Sequence, residues 1–233
     1  MKRKHQHASR GVRGLNRKLV ALAVASCFAG EVAYANPVGG VVVIGNAVFN
    51  QNGNLLAITN SPGTVINWQS FSIGAGDITK FIQQSGSSAV FNRVTGGDVS
   101  TILGALQSNG RVFLINGNGI VIGPGANINV NGFLASTLDM SNQDFLNGKF
   151  KFQDNPNAGA LLNQGTITTP SGGHVYLVAP SVTNTGVINS PNGEVLLAAV
   201  HADAAAPRHD LAEVHDLVVG GDDLHAHFRG QRI

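Results

Sequence analysis

The chain has 233 residues, 43% of them apolar and only 12% charged, with 30 glycines; charge at about half the usual share beside so much Gly and Asn argues against a helical protein and leaves room for one large or two small domains. The net charge of +2 hides an asymmetry, because seven of the fifteen basic residues (Lys2, Arg3, Lys4, Arg10, Arg13, Arg17, Lys18) stand in the first eighteen positions. From Asn36 onward eight Lys/Arg face twelve Asp/Glu, a balance of −4, so this part lacks the clustered cations that a phosphate backbone demands and nucleic acid is excluded as a partner.

The basic start leads into the apolar run Leu19 to Gly30 and then into Ala33-Tyr34-Ala35, the small-x-small pattern at which an export signal is cut, leaving Asn36 as the first residue. An apolar run of about twelve residues is too short for a bilayer core that needs roughly twenty, so removal is expected rather than anchorage. Two rival readings exist. A short amphipathic helix of a cytosolic protein ignores the charge asymmetry and the Ala-x-Ala site. A lipoprotein box at Val24-Ala25-Ser26-Cys27 would place the cut before Cys27 and make the later Ala-Tyr-Ala a coincidence. Cys27 is the only cysteine, so cleavage after Ala35 leaves none and excludes both a disulfide framework and a cysteine metal site.

Beyond Asn36 the chain alternates short β-prone runs with Gly, Asn and Pro turns. Ala89-Val-Phe91 and Arg111-Val-Phe113 stand 22 apart. In Ala126-Asn-Ile128-Asn-Val130-Asn-Gly-Phe-Leu134, Ile128 and Val130 fall on one face, Asn127 and Asn129 on the other. Only Val99 to Leu106 has a trace of helical period. Ser141 to Gly159 interrupts the pattern: Asn147-Gly148 between Asp144-Phe-Leu and Lys149-Phe-Lys-Phe152 signals a type I′ turn and predicts a β-hairpin projecting from, or packed along, the main body. Further on, Asn163-Gln-Gly165-Thr-Ile167-Thr-Thr-Pro170-Ser-Gly172 repeats as Asn184-Thr-Gly186-Val-Ile188-Asn-Ser-Pro191-Asn-Gly193 at an offset of 21, each copy followed by an apolar run, Val175 to Ala179 and Val195 to Ala199.

A period near 21 with two or three short strands is what one coil of a parallel β-helix needs. Residues 36–200 would make roughly eight coils and a rod of about 35 to 40 Å at the usual strand spacing. Gly and Asn suit the corners, since both tolerate left-handed backbone and Asn amides form ladders between coils. A leucine-rich repeat lacks its L-x-x-L-x-L pattern here, and a β-sandwich does not explain the 21-residue identity.

No catalytic constellation emerges. The acidic residues between Asn36 and position 200 (Asp77, Asp98, Asp139, Asp144, Asp154, Glu194) are scattered, no two closer than five residues, although glycosidase pairs can come from distant positions. A β-helical lyase acting on acidic polysaccharide wants clustered Asp for calcium and cations for the sugar acid, and that region holds only Lys80, Arg93, Arg111, Lys149 and Lys151. His174 is its one histidine and reads as a turn or outward strand position, with no triad or metal partner to name. Gly117-Asn-Gly119-Ile-Val-Ile-Gly123 misses dinucleotide-binding spacing by one residue. No catalytic residue, cofactor or metal is expected. The tail 201–233 gains five His and six Asp/Glu; Asp222-Asp223-Leu-His225-Ala-His227 superficially offers metal ligands, but the tail continues no coil and reads as a truncated or frame-shifted end.

From Ser108-Asn-Gly-Arg-Val-Phe-Leu-Ile-Asn116-Gly-Asn-Gly-Ile120 through Gly125-Ala-Asn-Ile-Asn-Val-Asn-Gly-Phe-Leu-Ala-Ser-Thr137 the chain resembles the filamentous-haemagglutinin N-terminal domain, the two-partner secretion domain of the haemagglutination activity family. Asn36-Pro37, Val90-Phe-Asn-Arg-Val94 and Asp144-Phe-Leu-Asn-Gly148 belong to the same resemblance, which covers nearly all of Asn36 to Ala199. It implies a right-handed parallel β-helix that directs export of a large adhesin through a partner outer-membrane β-barrel transporter, whose periplasmic POTRA domains bind the unfolded or partly folded chain. The family motif Asn-Pro-Asn-Gly-Ile falls on Asn116, Gly117, Asn118, Gly119 and Ile120, with Gly117 in place of its proline, which adds backbone freedom. The family's Asn-Pro-Asn-Leu motif has no good match; the corresponding region reads Gln83-Gln84-Ser85. The implied product is secreted or held at the cell surface. A direct adhesin or glycan-binding module sharing the fold is the alternative, using exposed side-chain stripes instead of the Asn116 to Ile120 turn.

Overall fold

A computed structural model describes residues 36–200. The expected export segment with Ala33 and Ala35 at its cut, and the expected atypical tail 201–233, lie outside the described residues.

The described residues form a parallel β-helix with three walls. The first wall is a seven-stranded sheet in the order β1 (Val41–Ile44), β4 (Thr64–Trp68), β6 (Ala89–Val94), β9 (Arg111–Ile115), β12 (Gly132–Ser136), β17 (His174–Ala179) and β20 (Glu194–Ala199). The second runs β7 (Ser100–Ile102), β10 (Ile120–Ile122), β15 (Leu161–Asn163), β18 (Val182–Asn184). The third runs β2 (Ala47–Asn52), β3 (Leu55–Asn60), β5 (Ile78–Ile82), β8 (Ala105–Ser108), β11 (Asn127–Asn129), β16 (Thr166–Thr168), β19 (Val187–Asn189). Within the three walls pairing is parallel except at the start, where β1 runs antiparallel to β4 and β2 antiparallel to β3.

The 21-residue repeat is one coil. Leu161 pairs with Val182 and Thr166 with Val187, and Asn163 Nδ2 donates to Asn184 Oδ1 at 2.7 Å across the same offset of 21, the ladder that corner asparagines predict. The walls hold at most seven strands rather than eight because one coil is twice as long. Phe133 pairs with Val175, 42 residues on, and the surplus is the interruption at 141–159. Val99 to Leu106 is not helical: β7 and β8 lie there on two different walls, each sending one large apolar side chain, Ile102 and Leu106, into the core while Val99 and Leu103 stay exposed.

Local sequence sets which face each strand buries. On the third wall Asn127-Ile128-Asn129 reads exposed, buried, exposed, and Leu106, Ile128, Ile167 and Ile188 stack in register as one column of the interior core. Fully burying such a side chain contributes on the order of 2 kcal/mol. The first wall lacks alternation: Gly132–Ser136 is buried throughout and Arg111–Ile115 at every position but the first, the pattern of strands covered on both faces. Its inward side chains include Ile66, Val90, Val112, Leu114, Phe133 and Val175. Asn92, fully buried among them, accepts from Trp68 Nε1 at 2.9 Å and donates to the Phe113 carbonyl at 3.1 Å, so this polar group is satisfied inside the core.

The outer cover is the predicted excursion, and it packs along the wall. An antiparallel pair is present, β13 (Asp139–Met140) with β14 (Phe152–Gln153), but its connection differs from a tight Asn-Gly turn. Asp144-Phe145-Leu146 lies in a short helix, α1 (Asn142–Leu146), capped by Ser141 Oγ accepting from the Asp144 amide. Asn147 has φ −85° and only Gly148 enters the left-handed region, at +66°, so the pair marks a helix end and not a type I′ turn. The physical reason is Phe145. The helix places its ring 5.0 Å from Phe91 and 5.1 Å from Phe113 in a second apolar cluster that also holds Leu134, Leu138, Met140 and Phe152.

Candidate recognition turn

Asn116 to Ile120 forms the corner between β9 and β10. The Gly119 amide donates to the Asn116 carbonyl at 3.1 Å, and the Asn116 Oδ1 accepts from the Asn118 amide at 3.0 Å, an Asx-turn built on a β-turn. Asn116 is fully buried. Its Nδ2 donates to the Asp98 carbonyl and to Ser100 Oγ, each at 2.9 Å, and its backbone amide reaches the Ser136 carbonyl at 3.0 Å. Asn118 Nδ2 reaches back to the Gly96 carbonyl at 2.8 Å. One turn therefore ties three successive coils together. Burial also divides the motif: Gly119 and Ile120 are buried, Gly117 is half-buried and Asn118 is exposed.

The two glycines differ. Gly119 has φ +126°, and a Cβ there would lie 3.3 Å from the Ala160 carbonyl oxygen, so glycine is required. Gly117 is not among the positive-φ residues, and its nearest obstacle to a Cβ is the end of the Asn155 side chain at 3.1 Å. A side chain there, such as the proline of the family motif, meets no positive-φ penalty and needs only the Asn155 side-chain amide to give way.

Sequence reading passed over a second turn against the first. In Asn155-Pro156-Asn157-Ala158-Gly159 the Asn157 amide donates to Asn155 Oδ1 at 3.0 Å and the Ala158 amide to the Asn155 carbonyl at 3.0 Å, the same two bonds at the same spacing. The Gly159 amide then donates to the Gly117 carbonyl at 2.9 Å. The signal was present in the shared Asn-x-Asn spacing, but it lay inside the stretch assigned to a hairpin.

The remaining singled-out residues lie apart. Asn36 is buried at the opening of the helix: Thr79 Oγ1 donates to its Oδ1 at 2.9 Å and its Nδ2 donates to the Asn54 carbonyl at 3.1 Å. Gln83 directly follows β5 and donates to the Arg111 carbonyl at 2.9 Å. His174 is an exposed first residue of β17, on the outward strand position expected of it, with Nδ1 3.8 Å from Glu194 Oε2. Next to it the Tyr176 hydroxyl donates to Glu194, and burial together with that carboxylate pushes the phenol well above its ordinary range. Among the described residues no group of three or more His, Cys, Asp or Glu is placed to hold a metal ion.

Comparison with known proteins agrees with this geometry. The family model described as TPS secretion domain matches residues 33–221. A heme/hemopexin-binding protein of Haemophilus influenzae strain Rd is 36% identical over 169 residues, covering 60% of this chain and 19% of its own length. A second heme/hemopexin-binding protein of Haemophilus influenzae is 39% identical over 100 residues, 43% of this chain and 11% of its own. This chain thus spans a fifth or less of these relatives. The crystal structure of the HMW1 secretion domain from Haemophilus influenzae superimposes with a TM-score of 0.67 at 43% identity, covering 70% of this chain and 45% of that one. With the family model matched over most of its length and the same β-helix in a solved member, the chain belongs to the TPS secretion domain family.

Proposed function

We propose that residues 36–200 are the export address of a longer surface polypeptide, read by the periplasmic POTRA domains of a partner outer-membrane β-barrel transporter. The Asn116 to Ile120 turn is part of what is read. The export signal cut at Ala33-Tyr34-Ala35 delivers the chain to the periplasm with Asn36 at its start, and the polypeptide works as an adhesin, secreted or at the cell surface. The carrying observation is the construction of the coil. Each strand bonds only to the coils before and after it, and residues 36–200 contain no cysteine, so a chain emerging from a pore folds coil by coil without a redox step and its folding opposes back-sliding. The buried fit of Asn36 supports a mature chain that begins there.

The test is co-expression of the chain with its cognate transporter, with and without the Asn116 to Ile120 segment. Export of the intact chain and periplasmic retention of the deletion are expected; equal export of both would remove the turn from the recognition role, and no transporter-dependent export of the intact chain would sink the address itself.

A direct glycan-binding role draws on one specific feature, the outward stripe of the third wall, where Asn127 pairs with Thr166 and Asn129 with Thr168. Binding of sugars by purified refolded domain, surviving deletion of the turn, would favour that second reading. Haem or hemopexin, named in the Haemophilus influenzae relatives, would be cargo of the longer polypeptide.

A further inference from the structure

In the folded domain the Asn116 to Ile120 turn offers a partner very little. Asn116 has no exposed surface, Gly119 and Ile120 are buried, and only the Asn118 side chain and part of Gly117 reach solvent. One amide is a small footprint for selective recognition. The surface beside it is the second turn, where Pro156 and Asn157 are exposed and Asn155 is half-buried. From this we infer that Asn155-Pro156-Asn157 is a second recognition turn, which completes a composite site with Gly117 and Asn118 for the transporter's periplasmic domain. The inference rests on the export reading above and deepens it.

Three observations carry it. The turns have the same internal bonds, Asn118 amide to Asn116 Oδ1 and Asn157 amide to Asn155 Oδ1, both at 3.0 Å. They are joined edge to edge by the Gly159 amide on the Gly117 carbonyl at 2.9 Å. The second also supplies the rigid residue that the first lacks: Pro156 fixes φ at the position equivalent to Gly117. Each turn's own bonds close within three residues and need no other coil, whereas the joining bond exists only after the excursion has docked. A periplasmic domain can therefore meet the turns singly on the unfolded chain and side by side once this coil closes. The exposed Asp154 directly precedes the second turn, and the exposed Asp98, whose carbonyl accepts from Asn116 Nδ2, lies one coil before the first, which fits a partner face that pairs with amides and carries positive charge.

The experiment uses the full chain with its cognate transporter. It measures the secreted fraction and, in parallel, binding of the purified chain to the transporter's periplasmic domains. Asn157→Ala is the cleanest variant, because Asn157 contributes its backbone amide to the turn and exposes its side chain. Asn155→Ala with Asn157→Ala removes the Asx bond, and Asn118→Ala serves as reference for the first turn. A drop in secretion of at least about threefold for Asn157→Ala and about tenfold for the double variant is expected, with thermal melting of the Asn157→Ala chain unchanged. Wild-type secretion and binding by both variants, while Asn118→Ala or deletion of Asn116 to Ile120 blocks export, would overturn the second turn and leave the export reading standing. Absence of transporter-dependent export by the wild-type chain would be the failure of that reading instead.

Discussion

Arg93 Nε donates to Asp139 Oδ1 at 2.9 Å, and through this pair the β-helix holds its own excursion. The same guanidinium donates from Nη1 to Asn142 Oδ1 at 2.8 Å and from Nη2 to the Met140 carbonyl at 2.6 Å, and it sits 4.7 Å from the Phe91 ring centre. Arginine is specified because its planar fork addresses three acceptors at once. Arg93→Ala should lower stability by about 1 to 2 kcal/mol, the lesser part from the ion pair because Asp139 is half exposed. The loss should be local. Amide exchange at 139–153 should quicken while β9 and β12 keep their protection on the inner face, and equal protection of the excursion in both proteins would refute the clamp.

Asn36 sits in a polar pocket of its own making. Asn36→Ala leaves the Thr79 hydroxyl without its acceptor and the Asn54 carbonyl with the Ile78 amide as its remaining donor, at a cost of about 1 to 2 kcal/mol. Chemical denaturation of the refolded domain measures it, and Asn36→Asp should recover part of the loss, because a carboxylate still accepts from Thr79. A midpoint unmoved by Asn36→Ala would mean that the residue is not anchored there.

The two glycines of the Asn116 to Ile120 turn should respond in opposite senses. Gly117→Pro faces no positive φ and replaces an amide that the turn does not use, so with the Asn155 side chain moved aside stability should rise by about 0.5 kcal/mol through the unfolded chain. Gly119→Ala forces a side chain into φ +126° with a carbonyl oxygen 3.3 Å away and should cost about 1 to 3 kcal/mol. Thermal melting of the two variants side by side decides it, and a stabilising Gly119→Ala would contradict the geometry.

Alkaline stability should depend on Tyr176. Its phenol is held above the ordinary value of 10.0 by burial and by the Glu194 carboxylate. A proton is then retained in the folded state at a pH where the unfolded state has released it, so the contribution is fully present below pH 10 and is lost as pH rises above it. Tyr176→Phe should flatten the fall of stability between about pH 10 and 11.5 and leave the profile at pH 7 to 9 nearly parallel to wild type. Urea midpoints across that range test this; an identical alkaline slope in both chains would assign it to other groups.

The 21-residue spacing and the Asn127-Ile128-Asn129 alternation make the coil legible in the sequence, because a solenoid reuses one short-range rule and each repeat writes it out again. What was misread shares a cause. Asp144 to Phe152 carries a hairpin signature, and Val99 to Leu106 a trace of helix, yet both are decided by residues far away. Phe145 goes where Phe91 and Phe113 leave an apolar wall uncovered, and Leu106 goes where Ile128 stacks on it.

The same division holds for the candidate site. Repeat spacing, composition and Asx-turn chemistry are local, and they set the parallel β-helix, the lack of cysteine beyond Cys27 and the Asn-x-Asn turn at Asn116. Tertiary structure alone decided that Asn116 is buried while Asn118 is exposed, that Arg93 clamps Asp139, and that Asn155 to Asn157 lies against Gly117. Those pairs are 46 and about 40 residues apart in the chain, and only the closing of one double-length coil over an apolar wall brings them together.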